Sequence, residues 1–293
     1  MTGLSNESKR MKVLLTIPHV FAPKEGSMYS SQTWSKRDLK TKALYEATIG
    51  NLNRHRKQHW IHASLGKGQR VVNREIKTEL GMDIKIKVFT NNNFSLADSL
   101  PEDRDLEIIN TEIEDLSQIP LVASRYLLER ASEYDILGYM EDDLILCDTE
   151  FFLKIKYLES STKEEYAFLP HRCEHIPGKG DVILSGDPDG GRADLFWATG
   201  EKIAIDWQLS ECQFYRATNP HSGCYFLGQK KAMMVRDYWI DQDWRSKWSL
   251  SGPLEKAGSG MLLPKLKLMK PIPSHYRFLM VMHQDSLCQI DLR

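Results

Sequence analysis

The sequence predicts an α/β protein with a mainly parallel central sheet, helices on both faces and a smaller, more antiparallel second portion. Three observations predict it. A buried, β-rich run begins the ordered chain at MKVLLTIP (11–18), strand-like and helix-like segments then alternate as far as Leu146, and beyond Asp148 short strand-like runs crowd together among glycines and prolines. Parallel neighbours need crossover connections long enough to hold a helix, and the first half supplies that spacing.

Residues 1–10 (MTGLSNESKR) are polar and read as a disordered tail, so one domain is expected over 11–293, with halves at 11–148 and 149–293. After the first strand, Leu39, Ala43, Leu44, Ala47 and Leu52 recur at helical spacing between Ser35 and Arg56, with Lys36, Arg37, Lys40 and Lys42 interspersed. Asp83–Thr90 (DIKIKVFT) alternates like a strand with one wet face, NNNFSLADSLPED reads as loop, and Leu106–Glu112 as a further short strand. Pro120 suits the first turn of a helix whose period runs through Leu121, Ser124, Leu127, Leu128 and Ala131. An apolar strand follows Tyr134. Later come a helix at Phe151–Ser161, a short strand at Tyr166–Pro170 and a loop at 176–191. Strand-like runs lie around Phe196, Ala204, Phe214 and 223–227, and a helix covers Lys230–Tyr238.

Composition narrows the partners. With 39 Lys plus Arg against 40 Asp plus Glu, the chain has no overall field to draw it to nucleic acid. Five scattered cysteines without a C-x-x-C pair suggest neither a disulfide framework nor a zinc knuckle. The apolar run Val13–Ala22 is interrupted by Pro18 and His19 and is too short to span a bilayer. A cytoplasmic protein without a transmembrane segment is expected, with room for a peripheral membrane contact. No G-x-G-x-x-G or Walker-type lysine loop points to a dinucleotide or P-loop ATP site.

The most informative stretch is YDILGYMEDDLILCD (134–148), where Glu141, Asp142 and Asp143 interrupt an apolar run. Adjacent anions repel and are costly to desolvate. In an extended strand Glu141 and Asp143 share one side while Asp142 faces the other, and a divalent cation would reconcile the converging pair with its surroundings. The plain alternative is a solvated turn after a buried strand. His283 closes another apolar run, MVMH, where its imidazole would reach a cation with Asp285 orienting the ring; the alternative is a hydrogen-bonded structural histidine. HRCEH (171–175) places His171, Cys173 and His175 on one strand face, as zinc would require, but no second Cys/His cluster accompanies it. A polar loop bordering the pocket is the preferred reading.

YDILGYMEDDLIL (134–146) resembles the Asp-x-Asp or Glu-Asp-Asp signature of GT-A-type glycosyltransferases. The resemblance implies a GT-A-like Rossmann-type fold with nucleotide-binding and acceptor-binding halves, a nucleotide-diphosphate sugar donor, and Mn2+ or Mg2+ as cofactor. It further implies a glycan or other hydroxyl acceptor and a role of the polysaccharide-biosynthesis kind. Asp143 would then be the principal metal ligand, Glu141 would contact the metal's water shell or the ribose, and Asp142 would be accessory. NPHSGCYFL (219–227) is similar to the family's acceptor-side segment, which gives His221, Ser222 and Gly223 an acceptor role. FLMVMHQD (278–285) is similar to the late strand whose histidine completes the metal site, which makes His283 a ligand.

The same resemblance puts the nucleotide at Thr16, Pro18 and His19, with Arg37 and Lys40 on the next helix as phosphate partners or as a solvated face. Trp197 would stack on a sugar or sit in the core, and Asp187–Arg192 would suit a closing loop. For a base that deprotonates the acceptor, Glu255 in SGPLEKAGSG comes first, with Asp194 and Glu201 as rivals. Two other classes compete. A sugar nucleotidyltransferase would want a basic, glycine-rich loop after strand one, where this chain offers Lys24 and Gly26. A noncatalytic carbohydrate-binding or scaffold protein would keep the fold without the chemistry.

Overall fold

The computed structural model describes residues 10–23, 34–56, 59–61, 75–77, 82–176, 178, 180–183, 200–217, 221–243 and 252–284. In chain order the first half contains β1 (Lys12–Pro18), α1 (Arg37–Tyr45), α2 (Asn51–His55), β2 (His59–Ile61), β3 (Glu75–Lys77) and β4 (Asp83–Thr90). It continues with β5 (Leu106–Asn110), α3 (Ile119–Glu129), β6 (Ile136–Met140) and β7 (Leu144–Ile145). The second half contains α4 (Phe151–Ser161), β8 (Tyr166–Phe168), β9 (His171–Ile176), β10 (Gly180–Ile183), β11 (Lys202–Trp207) and β12 (Ser210–Arg216). After these come β13 (Cys224–Gly228), α5 (Gln229–Trp239), α6 (Pro253–Ala257), β14 (Lys267–Pro271) and β15 (Met280–His283).

The central sheet has the order β13-β6-β1-β4-β5. β1 runs parallel to β4 and β6, β4 runs parallel to β5, and β13 closes one edge antiparallel to β6. The chain steps outward from β1 through β4 to β5 and then returns to the other side of β1 as β6. That reversal is a topological switch point, and the carboxyl ends of β1 and β6 on either side of it are the place where open α/β sheets as a class collect ligands. It is also where Pro18 ends β1 and the three acids succeed β6.

Alternation along each strand fills both faces. Val13, Leu15 and Ile17 join Ile84, Ile86 and Val88 beneath Ala47, Leu52, Phe151, Phe152 and Ile155. Leu14, Leu137 and Phe89 pack on the opposite face with Leu127 and Leu128 of α3 and Val235 and Trp239 of α5. Each such side chain, fully buried, is worth roughly 1.5–3 kcal/mol, so the strand ends rest on a well-packed core.

The expected helix over Ser35–Arg56 is present but not uniform. A π-helical turn at Glu46–Gly50 separates α1 from α2. The extra residue in such a turn rotates the next helical segment about its axis, and here it directs the buried Asn51 toward the acidic strand. The Asn51 amide nitrogen donates to the Leu144 carbonyl at 3.3 Å and its oxygen accepts from the Leu146 N–H at 3.0 Å. His55 adds a 2.8 Å bond from Nε2 to the Leu146 carbonyl. These contacts pin the segment just after the acids.

The second half is more mixed than expected. One four-stranded sheet, β10-β9-β15-β7, contains a parallel pair, β9 with β15, and a second, β11-β12-β14-β8, contains another, β14 with β8. HRCEH lies within strand β9 rather than in a polar loop, and part of the loop expected at 176–191 is strand β10, paired back on β9. The strand expected around Phe196 lies outside the described residues.

Candidate functional site

Two strands and two connections build the acidic site. β6 ends at Met140, and Glu141–Asp143 make a tight turn into β7 rather than continuing extended. The Glu141 N–H donates to the Gly223 carbonyl at 2.8 Å, and the Asp143 carbonyl accepts from the Gln284 N–H at 2.9 Å. The turn still divides the acids as strand alternation would. Glu141 and Asp143 are each 7 % exposed, while Asp142 turns to His19. β7 pairs antiparallel with β15, which sets His283 opposite Leu144.

His283 Nε2 consequently stands 3.4 Å from Asp143 Oδ2. Its Nδ1 is hydrogen-bonded to Glu174 Oε1 at 2.7 Å. Glu174 belongs to β9, whose parallel pairing with β15 (Arg172 opposite Val281, Cys173 opposite Met282) leads directly to this contact. Glu174 therefore orients the ring, the role the sequence assigned to Asp285, which lies outside the described residues. On the other side Lys40 Nζ of α1 is 3.2 Å from the same Asp143 Oδ2. Arg172 Nη1 is 3.8 Å from Glu141 Oε2.

Burial and charge drive the two acids apart. Desolvation and the Asp143 charge push Glu141 up to about 7, against the opposing pull of Arg172. Burial would raise Asp143 as well, but the His283 hydrogen bond and the Lys40 charge outweigh it and hold Asp143 well below the usual carboxylate range. His283 is raised despite its own burial, because Asp143 stabilises the imidazolium. Behind them Lys270, brought down to about 7 by burial and by Arg172, donates to the His221 carbonyl at 2.7 Å.

A divalent cation fits this arrangement. Asp143 Oδ1, Glu141 Oε1 and Glu174 Oε2 are buried without a hydrogen-bond partner, a costly condition for carboxylate oxygens. Two donors that share one small cation at about 2.1 Å each stand about 3.0–3.5 Å apart, and Asp143 Oδ2 and His283 Nε2 meet that spacing at 3.4 Å. Among the described residues no group of three or more His, Cys, Asp or Glu side chains is placed to hold a metal ion, which leaves Asp143 and His283 as a two-ligand site. That is the ordinary situation for Mg2+ and its relatives at phosphate sites, where one or two protein ligands are completed by water and substrate oxygens.

The other expected residues occupy varied positions. Thr16 is buried within β1 with its hydroxyl unpartnered, and Pro18 ends the strand. His19 accepts the Leu96 N–H at Nε2 (2.9 Å), which leaves Nδ1 as donor to Asp142 Oδ2 at 2.6 Å. The imidazole thus ties the end of β1 to the acidic turn with both nitrogens occupied. Arg37 lies exposed beside the Trp34 ring, and Lys40, one turn on, is the basic residue that reaches the acids. Ser222 is buried with its hydroxyl unpartnered, and Gly223, at φ +66°, lies against the Glu141 carboxylate. His221, lowered to about 3 by burial and by Arg172, accepts from Arg172 Nη1 at 3.5 Å. Gly223 and His221 thus adjoin the acids and Arg172, with Ser222 between them in the chain. Glu255 sits in the first turn of α6, and its charge acts on Glu141 and on the buried Tyr139. Glu201 lies away from the acids, bound to Lys267 and Arg216. Asp194 and Trp197 lie outside the described residues.

The zinc alternative at HRCEH is not assembled. His171 is buried and bonded through Nε2 to the Pro271 carbonyl at 2.6 Å, Cys173 is buried with its thiol pushed up to about 12 by desolvation, and exposed His175 pairs with Asp181. The residues that pattern-reading passed over, Glu174 and Arg172, are the ones this strand brings to the acids.

A cavity of about 670 Å³ opens elsewhere, between α3 and α5, and none of the expected site residues lines it. No helix among the described residues is long and apolar enough to cross a membrane. No family model and no curated protein matches the sequence. Among solved structures, a similar one is the crystal structure of 4-diphosphocytidyl-2C-methyl-D-erythritol synthase, with 11 % identity, 91 % of this chain and 92 % of that chain covered, and a TM-score of 0.38. At that score the likeness carries no argument about this chain's chemistry, and the α/β fold with its parallel central sheet is read from the strand pairing itself.

Proposed function

We propose that the chain is a metal-dependent transferase acting on a nucleotide-diphosphate substrate, and that glycosyl transfer from a nucleotide sugar to a hydroxyl acceptor is its reaction. The observation that carries this reading is the pair Asp143 and His283, placed at the switch point of the sheet with unpartnered carboxylate oxygens beside it and Glu174 behind the imidazole. Asp143 and His283 would hold Mn2+ or Mg2+, with Glu141 on its water shell. The bound ion would neutralise the donor's diphosphate and the charge that grows on it as the glycosidic bond breaks.

The chain's own groups have separable tasks. Glu174 keeps the Nε2 side of His283 directed at Asp143, and His19 holds Asp142 so that the turn keeps its shape. Arg172 and Lys40 offer positive charge to phosphate oxygens. Glu255, at the rim and within electrostatic reach of Glu141, would accept the proton of the acceptor hydroxyl.

The same carboxylates and cations would also serve a triphosphate, so sugar nucleotidyl transfer is the second reading, favoured by the basic residue Lys40 next to Asp143. Incubating purified protein with Mn2+ and a panel of labelled nucleotide sugars, and separately with sugar phosphates plus nucleoside triphosphates, tests both. Metal-dependent sugar transfer or slow donor hydrolysis supports the first reading, and pyrophosphate release supports the second. No turnover of any member of either panel would contradict both and leave a carbohydrate-binding protein.

A further inference from the structure

Lys40 and His283 converge on one oxygen of Asp143 while the other oxygen has no partner. Lys40 Nζ is 3.2 Å and His283 Nε2 3.4 Å from Oδ2, and Oδ1 is buried and unsatisfied. The backbone of α1 is fixed by buried Ala43 and Leu44, whereas the lysine stem has four rotatable carbons. A divalent ion on Asp143 would repel an ammonium at that distance, and a nucleotide phosphate bound at the carboxyl ends of β1 and β6 would compensate the displaced charge.

We propose that Lys40 is a placeholder for the metal: in the metal-free protein it holds the Asp143 oxygen, and when the ion binds it moves to the phosphate of the nucleotide. Lys40 thereby couples two binding events. It opposes metal binding in the absence of nucleotide and supports nucleotide binding once the metal is present. This inference rests on the proposed metal site and goes beyond it in giving one residue opposite effects on the two ligands.

The test is a Mn2+ titration monitored by electron paramagnetic resonance of the free ion, on the nucleotide-free wild type and on Lys40→Met, Lys40→Arg and Asp143→Asn. A second titration adds UDP or GDP at saturating Mn2+. Removing a partly buried charge-assisted contact that competes with the ion should tighten Mn2+ binding by Lys40→Met roughly tenfold or more. The same variant should bind the nucleotide about tenfold more weakly. Lys40→Arg keeps the charge and should bind Mn2+ within a few-fold of wild type. Equal or weaker Mn2+ binding by Lys40→Met, with wild-type binding abolished in Asp143→Asn, would overturn the placeholder role and leave the metal site standing. Absence of Mn2+ binding in both wild type and Lys40→Met would overturn the metal site and this inference together.

Discussion

Replacing Glu141 by glutamine should stabilise the metal-free protein while impairing its function. The side chain is 7 % exposed and adjoins Asp143, so its carboxyl is pushed from the ordinary 4.5 up to about 7, by burial first and by Asp143 second. A raised acid stabilises the fold fully below about 4.5, where both states hold the proton, and that contribution is lost as pH rises through about 7. The difference of 7 − 4.5 is 2.5, which at about 1.36 kcal/mol per pKa unit corresponds to about 3 kcal/mol. Urea denaturation in chelator at pH 5 and pH 8.5 measures it. Glu141→Gln should exceed the wild type by less than about 1 kcal/mol at pH 5, within the loss of the long Arg172 contact, and by about 3 kcal/mol at pH 8.5. His283, whose raised value also removes stability as pH rises, is present in both proteins and largely cancels. Saturating Mn2+ should erase the advantage, because the ion offsets the buried charge in the wild type. A difference between the two proteins that does not change with pH would refute the reasoning.

Two neighbouring residues give further expected outcomes. Glu174→Gln keeps an oxygen to accept the His283 Nδ1–H but loses the charge that makes the ring a better ligand, so Mn2+ affinity should fall about tenfold or more with little change in unfolding midpoint; unchanged affinity would exclude an orienting role. Gly223→Ala forces a side chain to φ +66° and sets its Cβ 2.9 Å from Glu141 Oε2 and 3.0 Å from Leu144 Cδ1. The backbone alone costs about 1–2 kcal/mol, and a loss of stability of about 2–3 kcal/mol with displacement of Glu141 is expected. A loss below about 0.5 kcal/mol would mean that the turn relaxes freely.

The parts of this site that periodicity governs were legible in the sequence. MKVLLTIP, DIKIKVFT and the apolar run before Glu141 appear as β1, β4 and β6, and FFLKIKYLESS as α4. The acids were found because three anions in an apolar run need a physical reason, although they divide between two sides through a turn rather than an extended strand. The features that escaped depend on pairing between distant strands. Glu174 meets His283 only because β9 lies parallel to β15 across a separation of 109 residues, and HRCEH alone suggested zinc or a loop. Lys40 and Arg37 look alike in a basic helix face. The helical rotation before the π turn points one to Asp143 and the other outward. Asn51, which clamps Leu144 and Leu146, has no local pattern to announce it.

The proposed chemistry requires one divalent ion at Asp143. Equilibrium dialysis of Mn2+ against the wild type and Asp143→Asn, with folding confirmed by coincident circular dichroism spectra, measures that directly. One Mn2+ per wild-type chain is predicted, bound more tightly in the presence of UDP or GDP, with at least a hundredfold loss in the variant. Stoichiometric binding that survives unchanged in Asp143→Asn would contradict it.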